Sequence, residues 1–201
     1  MAPRHLKITT GVATLPLPGQ QESGDLSFVK SVDSRTLVAV VDALGHGEDA
    51  AAAAHTAVAT LDRYARESLP ELVKRCHSAL AGTRGVVLGI ASFDPAAATM
   101  TWLGVGNISG ILMRADGGTR PTRVSLVPAA GFIGSEPIAA VSRVVALLPG
   151  DTIFLTSDGI RDGFADALTL PGTPQGLADH IMSRYAKGTD DALVLVARYA
   201  V

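Results

Sequence analysis

Cysteine is nearly absent from the 201-residue chain. Cys76 stands alone, so no internal disulfide can form and nothing points to an oxidising compartment. No apolar stretch approaches the roughly 20 residues of a membrane span. The opening Met1-Ala-Pro-Arg-His-Leu-Lys7 carries charge without the apolar segment of a secretory leader. The expected location is therefore cytoplasmic, with no membrane partner. Basic runs are missing too. Lys and Arg number 17 against 19 Asp and Glu, for a net charge of −2, and no stretch offers the electrostatic footprint of a nucleic-acid binder. Glutamate is the last shortage: the 19 acidic residues are 14 Asp and five Glu. Glu suits helix surfaces, whereas Asp prefers caps, turns and strand ends. The excess means many turns, which 21 Gly and 11 Pro support, or a site built from short carboxylates.

A composition of 47% hydrophobic and 18% charged residues is that of a folded chain. There is no repeat, low-complexity tract or linker, so one domain over residues 1–201 is expected. Strands are expected over Leu6–Leu15, Leu26–Val32 and the β-branched run Thr36–Val41. Gly47–Glu67 reads as an Ala-rich helix. Ser68-Leu-Pro-Glu71 offers a capping box for a second helix, which stops at Gly82. Strands follow over 85–93, 100–105, 109–114, 123–127, 143–148 and 152–156. Asp94-Pro95, Asp116-Gly-Gly118 and Pro149-Gly-Asp151 mark turns among them. Pro174–Ala186 reads as the third helix and Ala192–Tyr199 as the last strand. This order does not alternate strand and helix. It suits an α+β fold of antiparallel sheets packed together with helices outside them.

Three aspartates share a context. Asp42 follows Thr36–Val41 and precedes Ala-Leu-Gly-His-Gly47. Asp158 follows Thr152–Ser157 and precedes Gly159. Asp190 sits beside Asp191 just before the last strand, and Asp25 opens an early strand within Ser23-Gly-Asp25. Strand ends are stiff, so several such side chains can converge. Packed carboxylates repel and take up protons, and a hard divalent cation removes that cost. Singly, each such Asp is more often a turn residue or a cap; taken as a set of three, spacing alone leaves both readings open. Cys76 reads as a small apolar filler, Trp102 as core, and His55 and His77 as structural. Gly104-Val-Gly-Asn-Ile-Ser-Gly110 reads as a tight strand connection.

Asp42-Ala-Leu-Gly-His-Gly47 resembles the D-G-x-G-x-G signature of the metal-dependent serine/threonine phosphatases of type 2C. Leu148-Pro-Gly-Asp151 with Phe154-Leu-Thr-Ser-Asp-Gly-Ile160 is similar to that family's P-G-D…S-D-G segment. Thr189-Asp-Asp-Ala-Leu-Val-Leu-Val196 resembles its closing strand, and Ser23-Gly-Asp25 its opening acidic motif. The motifs occur in family order across residues 23–198. The short form resembles the sporulation-phosphatase (SpoIIE-like) branch, and within it the stressosome phosphatases.

The resemblance implies an αββα sandwich of two antiparallel sheets flanked by helices. It implies two Mn²⁺ or Mg²⁺ ions as cofactors. Asp42 would bridge them, Asp158 and Asp190 would complete one, and the Ala43 carbonyl would serve the other, with Asp25 reaching that ion mainly through water. A metal-bridging water would attack phosphorus directly, without a phosphoenzyme. The implied partners are phosphoserine or phosphothreonine proteins, in particular stressosome scaffold proteins with STAS domains. His46 is a candidate hydrogen-bond donor to phosphate or an acid near the metals, set against a plain loop histidine. Ala43 replaces the usual glycine, Leu193 the usual threonine, and Asn107 an aspartate associated with a third metal. No Arg shortly precedes Ser23-Gly-Asp25, so the phosphate-holding group is not identified. Residues 132–141 are too few for the flap subdomain of larger members. The alternatives are a catalytically silent pseudo-phosphatase that binds a partner, and a small-molecule phosphoesterase.

Overall fold

The computed structural model describes residues 7–115, 122–135, 138, 141–166 and 171–200. Strands β1 (Lys7–Leu15), β2 (Asp25–Val32) and β3 (Arg35–Ala43) lead into helices α1 (Glu48–Arg63) and α2 (Leu69–Ala79). Then come β4 (Val86–Asp94), β5 (Thr99–Val105), β6 (Ser109–Met113), β7 (Arg123–Leu126), β8 (Arg143–Ala146) and β9 (Thr152–Thr156). A 3-10 turn over Phe164–Asp166, helix α3 (Pro174–Tyr185) and β10 (Ala192–Ala200) complete the described chain.

The strands form two five-stranded sheets, ordered β1-β10-β9-β6-β7 and β2-β3-β4-β5-β8, with every strand pair antiparallel. Side-chain alternation then builds the layers. On β3, Leu37, Ala39, Val41 and Ala43 pack under α1 and α2 beside Ala54, Leu61, Leu72 and Cys76. Val38 and Val40 turn the other way, into the layer between the sheets, where they meet Leu193, Leu195, Ile153 and Leu155. On the far face Ala192, Val194, Val196 and Phe154 pack against Leu177, Ala178 and Ile181 of α3. The result is the expected helix–sheet–sheet–helix sandwich.

Trp102 lies in the inter-sheet layer with its ring in a slot lined by glycine. A Cβ on Gly89, Gly104 or Gly110 would stand 2.9, 2.7 or 3.1 Å from that ring. This explains part of the glycine run at 104–110 in packing terms. Gly11 serves the opposite face: a Cβ there would lie 2.2 Å from the Gln175 main-chain nitrogen, where α3 crosses β1.

Several expectations need correction. Helix α1 ends at Arg63, four residues before Glu67, because Tyr64 leaves helical geometry and the Glu67 N–H turns back to the Tyr64 carbonyl at 2.8 Å. Ser68 is the N-cap of α2, but its side chain makes no capping hydrogen bond. Glu67 instead pairs with Arg75, eight residues on within α2, at 2.9 Å. Strand β8 stops at Ala146, short of Leu148. Asp94 is a turn residue as expected, accepting from the Ala96 and Ala97 N–H groups at 3.1 Å each. Asp151 is more than that. Its buried carboxylate accepts from Arg114 Nη1 (2.8 Å), the Ala115 N–H (2.8 Å) and the Leu148 N–H (2.9 Å), tying the turn before β9 to the end of β6. Leu6, the Asp116-Gly-Gly118 turn and part of 132–141 lie outside the described residues.

Candidate metal centre

The alternation that builds the layers also aims the carboxylates. Asp42 continues the Val38–Val40 row of β3, so it stands at the mouth of the inter-sheet layer. Phe28 and Val32 of β2 pack toward the helices, which puts Asp25, of opposite parity, on the same side as Asp42. The two are register partners across the strand pair. From the other sheet, Asp191 extends the Leu193–Leu195 row of β10, and Asp158 follows Ser157 at the end of β9. Four strand ends from two sheets therefore meet at one place.

They line a cleft of about 130 Å³ formed by Asp25, Asp42, Ala43, Leu44, Gly45, Val87, Asn107, Asp158, Asp190 and Asp191. Five carboxylates enter it and no Lys or Arg does. Asp25 is only 3% exposed, and its Oδ2 has no hydrogen-bond partner. Burial pushes its pKa up to about 7. Ser157 pulls it back by hydrogen bonding, while the charges of Asp191, Asp158 and Asp190 add to the rise. Asp42 is pushed up to about 8, again first by burial and then by Asp25, Asp158, Asp190 and Asp191. Carboxyls held this far above their usual range mark a place built for compensating positive charge.

The supporting bonds show which groups are scaffold. Asp191 accepts from the Leu17 and Gly24 N–H groups at 2.7 Å each, so it pins the chain before β2 to the start of β10. Its own N–H donates to Asp190 Oδ1 at 2.9 Å. Asn107 donates its side-chain amide to Asp158 Oδ2 at 2.9 Å. The Ser157 hydroxyl accepts from the Leu193 N–H at 2.9 Å. Gly159 is required beside them: a Cβ would sit 1.9 Å from the Asp191 carbonyl oxygen.

This donor set fits a hard divalent cation. All the side-chain donors are oxygens, and a buried carboxylate oxygen is left without a protein partner. Among the described residues no group of three or more acidic, histidine or cysteine side chains is arranged to hold an ion by itself. Hard cations complete such partial sets with water and main-chain oxygen.

All five residues expected to bind metal line the cleft, namely Asp25, Asp42, Ala43, Asp158 and Asp190. His46 does not. It is exposed on the loop between β3 and α1. Asp191 had no assigned role in the sequence, although its place beside Asp190 and its parity with Leu193 are the signals that locate it. Leu193 is fully buried between the sheets, in keeping with a packing role. The Cys76 thiol is buried and pushed up to about 12, so it is no nucleophile.

Phosphoserine phosphatase RsbX of Bacillus subtilis is 26% identical over 154 residues, covering 77% of this chain and 75% of RsbX. A protein solved in work on the bacterial stressosome, described as a modular system adapted to control secondary messenger signalling, superposes with a TM-score of 0.86. It is 29% identical, over 96% of this chain and all of that one. RsbX in complex with magnesium superposes equally well, TM-score 0.86, at 21% identity over 97% of this chain and 98% of its own. The family model of Stage II sporulation protein E (SpoIIE) matches residues 32–200. The chain therefore belongs to the SpoIIE family of metal-dependent, type 2C protein phosphatases.

Proposed function

We propose that the chain is a Mn²⁺- or Mg²⁺-dependent serine/threonine phosphoprotein phosphatase that acts on stressosome scaffold proteins with STAS domains. The observation that carries the catalytic half is the cleft of five carboxylates with the unpartnered Asp25 Oδ2 at its buried end. The likeness to RsbX and to the stressosome-related structure supports the substrate half.

Two ions are the simplest content for a site of this charge. Asp42 would bridge them, Asp158 and Asp190 would hold one, and the Ala43 carbonyl the other, with Asp25 acting mainly through water. Bound there, such ions supply a water of lowered pKa as nucleophile and neutralise charge on the transferring phosphoryl group. The protein holds the carboxylates in place. Asn107 fixes Asp158, and the Asp191 bonds to Leu17 and Gly24 keep the two sheets in register at the mouth.

The test is release of phosphate from phosphorylated STAS-domain proteins and from para-nitrophenyl phosphate, with Mn²⁺, with Mg²⁺ and with chelator. Metal-dependent release from both is expected. Cleavage of the small ester alone would make the chain a small-molecule phosphoesterase. Metal binding without any cleavage would make it a silent partner-binding module.

A further inference from the structure

We infer that Arg84 is the residue that holds the substrate's phosphoryl group, an inference that rests on the phosphatase reading above. The cleft contains five carboxylates and no cation of its own. Two divalent ions would leave it close to neutral, so a phosphomonoester dianion needs a further donor. No Arg or Lys lies between Pro16 and Asp25, ahead of the first acidic motif.

Arg84 stands beside the cleft, next to Gly45 of its lining. It immediately precedes Gly85, whose carbonyl accepts from the Leu44 N–H at 3.2 Å. That bond sets the base of Arg84 beside the loop joining β3 to α1. Its guanidinium then lies over Gly45, which lines the cleft. Gly45 has φ +87°, and a Cβ there would come within 2.7 Å of Arg84 Nη1. The missing side chain is the seat of the guanidinium. Arg84 Nη2 donates to Asp49 Oδ2 at 3.1 Å, which holds the head group at the rim. No described acceptor takes Nη1 or Nε. The side chain is 48% exposed, so an incoming substrate can reach it. A planar guanidinium pinned at one nitrogen, with two donors open, suits the oxygens of a phosphoryl group.

The experiment measures inorganic phosphate binding to the full chain loaded with Mn²⁺, by calorimetry, in wild type, Arg84→Ala and Arg84→Lys. Mn²⁺ affinity is measured in parallel. Loss of one charge-assisted donor pair is expected to weaken phosphate binding about 10- to 100-fold. Arg84→Lys should recover part of it, and Mn²⁺ affinity should not move. With para-nitrophenyl phosphate the loss should fall mainly on KM. Equal phosphate affinity in wild type and Arg84→Ala overturns the inference, as does a parallel fall in Mn²⁺ affinity or absence of phosphate binding in wild type. Failure of the phosphatase reading is separate: wild type would then release no phosphate from any ester, whatever the binding data show.

Discussion

Asp25 and Asp42 stand directly opposite each other across β2 and β3. Like charges at facing positions destabilise a sheet, and both carboxyls are also shielded from water. In the metal-free folded chain they hold protons up to about pH 7 and about pH 8. In the unfolded chain they release them near 3.8. The folded state therefore binds more protons between these values. This part of the stability is complete below about pH 3.8 and is lost as pH rises toward 8.

With chelator present, the urea midpoint should accordingly fall between pH 5 and pH 8. Mn²⁺ should restore it, most strongly at the alkaline end. Metal binding near pH 6–7 should release protons, readable as a dependence of calorimetric heat on buffer. A metal-free midpoint that stays level over this range, or climbs, contradicts the raised values.

Asp42→Asn should separate stability from activity. Removing one charge of the facing pair should raise the thermal midpoint of the chelated protein at pH 8. Metal-dependent phosphate release should fall by more than the roughly 10- to 100-fold lost when a ligand's outer partner is removed. Retained activity would sink the assignment of Asp42 as the bridging ligand.

Asn107→Ala takes away the amide held by Asp158 Oδ2. Apparent Mn²⁺ affinity should weaken by about tenfold, within the range for an outer partner of a metal ligand. Turnover at saturating Mn²⁺ should largely recover. A metal titration of activity checks this, and an unchanged midpoint would show that Asp158 needs no such support.

Gly159→Ala would place a methyl 1.9 Å from the Asp191 carbonyl. The backbone must shift, at a cost of about 3 kcal/mol, and Asp158 and Asp191 are displaced with it. Urea denaturation measures the first effect and Mn²⁺ affinity the second. A variant as stable as wild type would mean that the β9–β10 junction is looser than the geometry indicates.

Most of the architecture is legible in the sequence. The β-branched run Thr36–Val41 and the buried-type run Thr152–Thr156 suit strands covered on both faces, and both strands are so covered. Element ends were less so. Whether α1 continued past Arg63 depended on the turn at Tyr64, which no local propensity specifies. The four strand-end aspartates were legible as an ordered set of motifs. Asp191 and Arg84 were not, for different reasons. Asp191 takes its place from bonds to Leu17 and Gly24, more than 160 positions away in sequence. Arg84 comes to lie over Gly45, beside the cleft, because β4 pairs with β3 and Gly45 leaves room above it. The buried Asp151 anchor looked like an ordinary turn aspartate because its partner Arg114 lies 37 residues upstream.

The glycine-lined slot around Trp102 has an optical consequence. This is the chain's single tryptophan, and it is shut away from water between the sheets. Its emission should sit at short wavelength in the folded protein and move red only when the sandwich opens. The slot also touches the 104–110 segment, whose Asn107 reaches Asp158. One unlabelled fluorophore thus reads both the parting of the sheets and rearrangement behind the acidic cleft.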